Sequence, residues 1–149
     1  MTELLRFEPV DVDGDTTLQD WRYVHNAIIP TAALSLAEVR ERAARNRLTV
    51  AYLGDLPAGC STVRPPAAGS AAATVIARVL PGHRGRGFGG RLYERGLADA
   101  RALGATVIET CVLESNPEGL RFALRHGFVE TERYLLPGDS VPFIDLRLV

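Results

Sequence analysis

The densest chemistry in this chain lies between Arg84 and Arg91, R-G-R-G-F-G-G-R, where four glycines and three arginines share eight residues. Glycine lets a backbone come close to a ligand and take up torsions that a Cβ forbids. A helical pattern starts directly behind this stretch, and the first turn of a helix carries unpartnered N–H groups and a partial positive charge. Arg84, Arg86 and Arg91 add full charges. These residue types in this order suit a phosphate or pyrophosphate. A plain strand-to-helix turn needs fewer glycines and no arginines. Two further positions invite a role: Asn116, which precedes a proline as a helix N-cap would, and Glu109, a carboxylate in an apolar run.

Two phosphate loops can be weighed directly. The P-loop of nucleoside triphosphatases requires a lysine, and the chain has none. Gly85, Gly87 and Gly90 do spell G-x-G-x-x-G, with Glu109 at about the dinucleotide spacing. The context is wrong, however, because 84 residues come first and only 40 follow Glu109, too few for the remaining strand-helix-strand units. Glu109 also falls inside a strand pattern rather than at its end.

The elements that must hold these residues follow from periodicity. Ala73 to Leu80 reads as a buried strand that Pro81 and Gly82 stop. Phe88, Leu92, Gly96, Ala100 and Leu103 form one helix face, with Gly104 as the C-cap glycine. Thr106 to Leu113 is the next strand, parallel to the first through the intervening helix. Asn116-Pro117 opens a helix that runs to His126 and stops at Gly127-Phe128. Upstream, Leu4 to Val10 is a strand, and Asp15 or Thr16 caps a helix carrying Leu18, Trp21, Val24 and Ile28 that ends at Pro30. Ser35 and Glu38 form a capping box for a helix over about 36–45. Strands Leu48 to Leu53 and Ala58 to Val63 pair across Gly54-Asp55, and strands near 128–136 and 142–148 finish the chain. The order is a mixed α/β fold of the α+β type, expected as a single domain over 1–149.

Val79, four residues, then Arg84-x-x-Gly87-x-Gly89 resembles the V-x-x-x-x-[QR]-x-x-G-x-[GA] signature of the GNAT family of N-acetyltransferases. The stretch from Asn116 to Phe128 resembles that family's second signature, an Asn followed by a helix closing on Gly-Phe. The resemblance covers nearly the whole chain. It implies a mostly antiparallel central sheet, a parallel strand-helix-strand pair that splays apart, and about four flanking helices. It implies acetyl-CoA as co-substrate, with its pyrophosphate on the amides of 85–90. The implied cofactor set is Val79, Leu80, Arg84, Gly85, Arg86, Gly87, Phe88, Gly89, Gly90, Arg91 and Asn116. A backbone N–H at Val79 or Leu80 would hold the thioester carbonyl, so Val79 is also a catalytic candidate. Many relatives place a tyrosine where this chain has Ala123; Tyr134, Tyr93 and Ser115 are the substitutes on offer. Glu109 is the nearest candidate base, or else the partner of an arginine such as Arg78.

The implied activity is transfer of acetyl from the thioester to a primary amine by direct attack in a ternary complex. Ala123 and the absence of an acid on the central strand, residues 73–80, motivate the alternative, a weakened CoA-binding or sensor module. The family's acceptor pocket would draw on Trp21, Tyr23, His25, Asn26, Tyr134 and Phe143, and the acceptor is a small-molecule or peptide amine. His83 and His126 read as turn and helix-end residues.

Composition bounds the rest. The length of 149 residues suffices for a proper core, and the net charge of −1 points to neither nucleic acid nor an anionic membrane as partner. No apolar run approaches about 18 residues and no charged-then-apolar leader is seen, so a soluble cytoplasmic protein is expected. Cys60 and Cys111 are too few for a disulfide framework or a zinc site and read as small buried hydrophobes, so no metal is expected. Nothing in the pattern decides against a homodimer.

Overall fold

In the computed structural model, which describes residues 4–148, the chain runs β1 (Leu5–Pro9), α1 (Thr16–Ile28), α2 (Leu36–Arg45), β2 (Arg47–Leu53), β3 (Leu56–Arg64), β4 (Ala72–Val79), α3 (Phe88–Ala102), β5 (Val107–Leu113), α4 (Pro117–Arg125), β6 (Phe128–Tyr134) and β7 (Phe143–Leu148). Short 3-10 turns sit at Pro30–Ala32 and Pro81–His83. The strands form one sheet in the order β1-β2-β3-β4-β5-β7-β6. Among the described residues only β4 and β5 pair in parallel. A nucleotide-binding sheet of parallel strands is therefore ruled out, and the mixed architecture with four helices matches the expectation.

Alternation sorts the side chains onto two faces. Cys60 of β3 and Val50 of β2 meet Leu18, Trp21 and Val24 of α1. On the opposite face Val63 and Val75 pack with Tyr93 and Ala100 of α3 and with Ala123 of α4. Each cluster removes a stripe of apolar side chains from water, at roughly 25 cal/mol per Å².

Local signals place the helices. Ser35 Oγ accepts from Glu38 N at 3.2 Å, and Glu38 Oε1 accepts from Ser35 N at 3.0 Å, so the capping box is present. Asp15 occupies the N-cap position of α1 without a side-chain cap bond. Its carboxylate pairs instead with Arg40 at 3.0 Å, which ties α1 to α2. α1 stops at Ile28, and Pro30 opens a 3-10 turn. Asn26 fixes that connection, its Nδ2 donating to Leu34 O and its Oδ1 accepting from Leu34 N. β6 ends at Tyr134, two residues earlier than the pattern suggests, and Leu135 and Leu136 are exposed.

Candidate active site

β4 has two unlike edges. It is zipped to β3 over six residue pairs, Gly59↔Val79 through Arg64↔Thr74. It meets β5 over only three, Ala72↔Val107 through Thr74↔Glu109. Beyond Thr74 the two parallel strands part, and a cleft of about 960 Å³ opens between Val75–Val79 on one side and Thr110–Leu113 on the other. The 3-10 turn, the glycine loop and the inner face of α4 continue its walls.

Backbone alternation decides which amides face the cleft. Leu80 N donates to Ala58 O at 2.9 Å. Ala58 and Leu80 are thus a hydrogen-bonded pair, and the adjacent Gly59–Val79 pair is not. The N–H of Val79 therefore points away from β3, toward the gap, as does that of Ala77. Of the two amides expected to hold a carbonyl, Leu80 is occupied and Val79 is directed at the cleft. The Leu80 side chain packs into the α1 cluster.

Gly85 and Gly87 both hold φ of 80°, a left-handed conformation that favours glycine. Gly87 is the N-cap of α3, and its carbonyl accepts the first intrahelical bond, from Arg91 N at 3.2 Å. The N–H groups of Phe88, Gly89 and Gly90 precede that bond and have no helical partner. The loop side chains behave less uniformly. Arg84 Nε donates to Val79 O at 2.9 Å, and its guanidinium pairs with Glu118 in the first turn of α4. It fastens the loop between strand end and helix. Arg91 lies over the Phe7 ring, 5.5 Å from its centroid, and the Phe88 side chain is buried with Leu92. Arg86 is exposed. Of the expected set, Val79, Arg84, Gly85, Gly87, Phe88, Gly89, Gly90 and Asn116 line the cleft; Leu80, Arg86 and Arg91 do not. Asn116 Oδ1 accepts from Gly119 N at 3.1 Å as an N-cap, which leaves its amide nitrogen for another partner.

The cleft has residues that sequence reasoning did not assign to it. Arg121 and Arg125 add two cations from α4, one turn apart on the helix that Asn116 caps, a spacing that could have signalled them. Two buried polar atoms on the cleft wall, His83 Nδ1 and the Tyr93 hydroxyl, have no hydrogen-bond partner among the described residues. Burial pushes the Tyr93 hydroxyl up to about 12. Tyr93 packs edge-on against Phe122, His126 and Phe128, the surroundings of Ala123. His126 points its Nδ1 at Phe122 O, 2.8 Å away, and serves the helix end.

A second cavity, about 330 Å³, lies on the α1–α2 face of the sheet. Ile29, Ile76, Arg78, Thr110, Cys111 and Leu113 line both spaces, so the cleft and the second cavity meet through the splay. His25, Tyr134 and Phe143 of the expected acceptor pocket line it; Trp21 is core, and Tyr23 is exposed. Asn26 Oδ1 accepts from Leu34 N and so must accept from His25 Nδ1 as well, 2.9 Å away, leaving Nε2 as the ring's lone-pair nitrogen. Burial, then the nearby Arg78 and Arg42 charges, lower the His25 pKa to about 4 despite the Asn26 bond, which favours the charged ring. The Tyr134 hydroxyl donates to Asp145 Oδ1 at 3.0 Å. Cys111 is a wall residue of both spaces rather than core, and burial followed by Asp145 pushes its thiol up to about 11.

Glu109 also opens onto the second cavity, but its partner is Arg147 at 3.8 Å, not Arg78. It faces Thr74, five residues before Val79 on β4, about 16 Å by the rise of a strand. The structure does not bring Glu109 to the loop. Among the described residues no group of three or more His, Cys, Asp or Glu is placed to hold a metal ion, and no helix is long and apolar enough to cross a membrane.

The model of the acetyltransferase (GNAT) family matches residues 14–128. No curated protein matches significantly. Among solved structures, one provisionally described as a phosphinothricin N-acetyltransferase superposes with a TM-score of 0.79 at 18% identity, covering 97% of this chain and 98% of its own. A provisionally assigned acetyltransferase from Salmonella typhimurium, solved with its cofactor acetyl-CoA, gives 0.71 at 17% identity over 97% and 93%. The ribosomal-protein-alanine N-acetyltransferase of Brucella melitensis gives 0.72 at 17% identity over 98% and 99%. At such identities the likeness is one of fold.

Proposed function

The chain belongs to the GNAT family of acetyltransferases, and on that premise we propose that it transfers acetyl from acetyl-CoA to a primary amine by direct attack within a ternary complex. The observation that carries this reading is the opening of β4 from β5 beside two left-handed glycines at the start of α3. The residues suit the group. Free amides at 88–90 and the arginines of α4 match its phosphates, and the orphaned Tyr93 hydroxyl and His83 Nδ1 on the cleft wall await polar partners. Acetyl-CoA, when bound, supplies an activated acetyl group as a thioester.

The chain's own residues then have distinct tasks. The loop amides and Arg121 and Arg125 hold the phosphates, and Asn116 offers its amide nitrogen to the pantetheine arm. Val79 N–H donates into the gap, where a carbonyl oxygen gaining charge would be stabilised by a fixed dipole away from bulk water. The acceptor enters from the second cavity through the splay, so the two substrates meet across the sheet and gain from positioning alone. Glu109, at its distance from Val79, takes a proton from the ammonium only through water in that cavity. Tyr93 supplies the hydroxyl that Ala123 lacks, at a departing thiolate whose ordinary pKa of about 8.5 asks for little help. With that hydroxyl present, a binding-only module loses its main motive.

The test is release of free thiol from acetyl-CoA in the presence of primary amines, together with a thermal melt. Acetyl-CoA at about 100 times its dissociation constant should add roughly 2.7 kcal/mol of stability. Stabilisation with thiol release supports transfer, and stabilisation without release by any amine contradicts it. The solved neighbours name acceptors as different as phosphinothricin and a ribosomal-protein alanine, so the acceptor must be read from this chain's own cavity.

A further inference from the structure

The second cavity contains cations in excess of their partners. Arg78 reaches into it from β4, Arg64 from β3 and Arg42 from α2. None of the three makes an ion pair with a carboxylate of another element among the described residues; Arg42 has only the diffuse attraction of Glu38 and Glu41 on its own helix. Arg78 is the most enclosed, and the charges it senses are Arg42 and Arg64, both repulsive, and the thiols of Cys60 and Cys111. Loss of water, and after it the two arginines, work against its charge, while Cys60 and Cys111 favour it. The two carboxylates that line the cavity are already engaged, Glu109 with Arg147 and Asp145 with the Tyr134 hydroxyl. Arg78 is half-buried, and a guanidinium partly withdrawn from water with no carboxylate beside it gains by meeting an anion.

Arg78 also occupies the junction. It lines both spaces, and it is the neighbour in sequence of Val79, whose amide faces the gap. A group bound to its guanidinium would therefore be held at the mouth through which the acceptor amine must pass. We infer that Arg78, supported by Arg64 and Arg42, binds the carboxylate of the acceptor, and that the amine acetylated here is that of a free amino acid. This deepens the transferase reading and rests on it for the word acceptor, but the anion site can stand or fall alone. Arginine suits the task, since its planar fork meets a carboxylate with two parallel hydrogen bonds. The neutral state of His25 fits as well, because its ring adds no fourth cation while Nε2 remains an acceptor.

The experiment compares the twenty common amino acids with their amides and with the corresponding decarboxylated amines, on the full chain loaded with CoA. Melting temperature reads binding, and thiol release from acetyl-CoA reads turnover. The expected result is stabilisation by one or more amino acids, absent with the matching amide, and a kcat/KM at least about 100-fold higher for the acid. Arg78→Gln should erase that preference while its stabilisation by acetyl-CoA stays as in the unaltered chain, which also shows that the variant is folded. Acid and amide behaving alike, an unchanged preference in Arg78→Gln, or no response to any amino acid overturns the inference. The comparison of ligands on the unaltered chain gives the answer even if the variant fails to fold. Amino acids that bind through Arg78 without thiol release would sink the transferase reading and leave the anion site. Thiol release that ignores the carboxylate would do the reverse.

Discussion

The two edges of β4 carry the same residues and do opposite things. Toward β3 the strand is paired from Thr74 to Val79, and its alternate amides are consumed in that ladder. Toward β5 pairing stops at Thr74, and the amides of Ala77 and Val79 are left facing an open cleft. The closed edge is where the two faces of the core are joined. The open edge is where a backbone donor, a glycine loop and two cavities converge. An unpaired amide in the middle of a sheet is a liability for stability, because buried polar groups need partners, and it becomes useful only when a ligand completes the ladder. The difference teaches that stability resides where the sheet makes its hydrogen bonds, and that the proposed function draws on the ones it leaves unmade.

That contrast can be broken from either side. The largest effect is expected at the loop beyond the open edge. Gly87→Glu puts a carboxylate among the α3 amides at a φ of 80°; it should abolish stabilisation by acetyl-CoA in a thermal melt, a loss of the full increment of about 2.7 kcal/mol. Next comes the closed edge. A Cβ on Gly59 would lie 2.7 Å from Arg78 O and 2.9 Å from Leu92 Cδ1. Gly59→Ala should therefore cost about 1–3 kcal/mol in denaturant unfolding, as overpacking does, with stabilisation by acetyl-CoA retained. Tyr93→Phe should act in both senses. Removing an unsatisfied buried hydroxyl should raise the stability of the ligand-free protein by roughly 1 kcal/mol, while slowing thiol release by up to about 10²-fold, the low end of general acid catalysis. Glu109→Gln should do least. A base in direct contact contributes about 10²-fold or more, and a carboxylate working through water should cost less than that in kcat, with acetyl-CoA binding unchanged.

The legible parts were the local ones. The glycine loop, the Ser35–Glu38 box, the Asn116 cap and the Gly127 stop each declare themselves within a few residues, because caps and turns are short-range chemistry. The residue order also gave the parallel β4–β5 pair, since a crossover helix leaves little choice of hand. The splay itself was visible only through resemblance; no residue between Val75 and Val79 announces that its neighbour will depart. Glu109 pairs with an arginine as the sequence suggests, but that arginine is Arg147 and not Arg78, for a similar reason. β7 inserts between β5 and β6 and brings Arg147 opposite Glu109, a long-range register that alternation cannot reveal. Once Arg147 satisfies Glu109, Arg78 is left without a carboxylate, and the most informative side chain of the second cavity appears only in three dimensions. Leu80 was lost as a donor because its amide belongs to the closed edge, one residue out of phase with Val79.

The most direct measurement is residue-resolved amide hydrogen exchange along β4, with and without acetyl-CoA. The amides of Arg78 and Leu80, which face β3, should be protected in both states. The amides of Ala77 and Val79 should exchange quickly in the free protein and become protected when acetyl-CoA is added. Val79 equally protected with and without acetyl-CoA, or equally fast in both, would contradict the claim that the open edge of β4 is where the thioester is held.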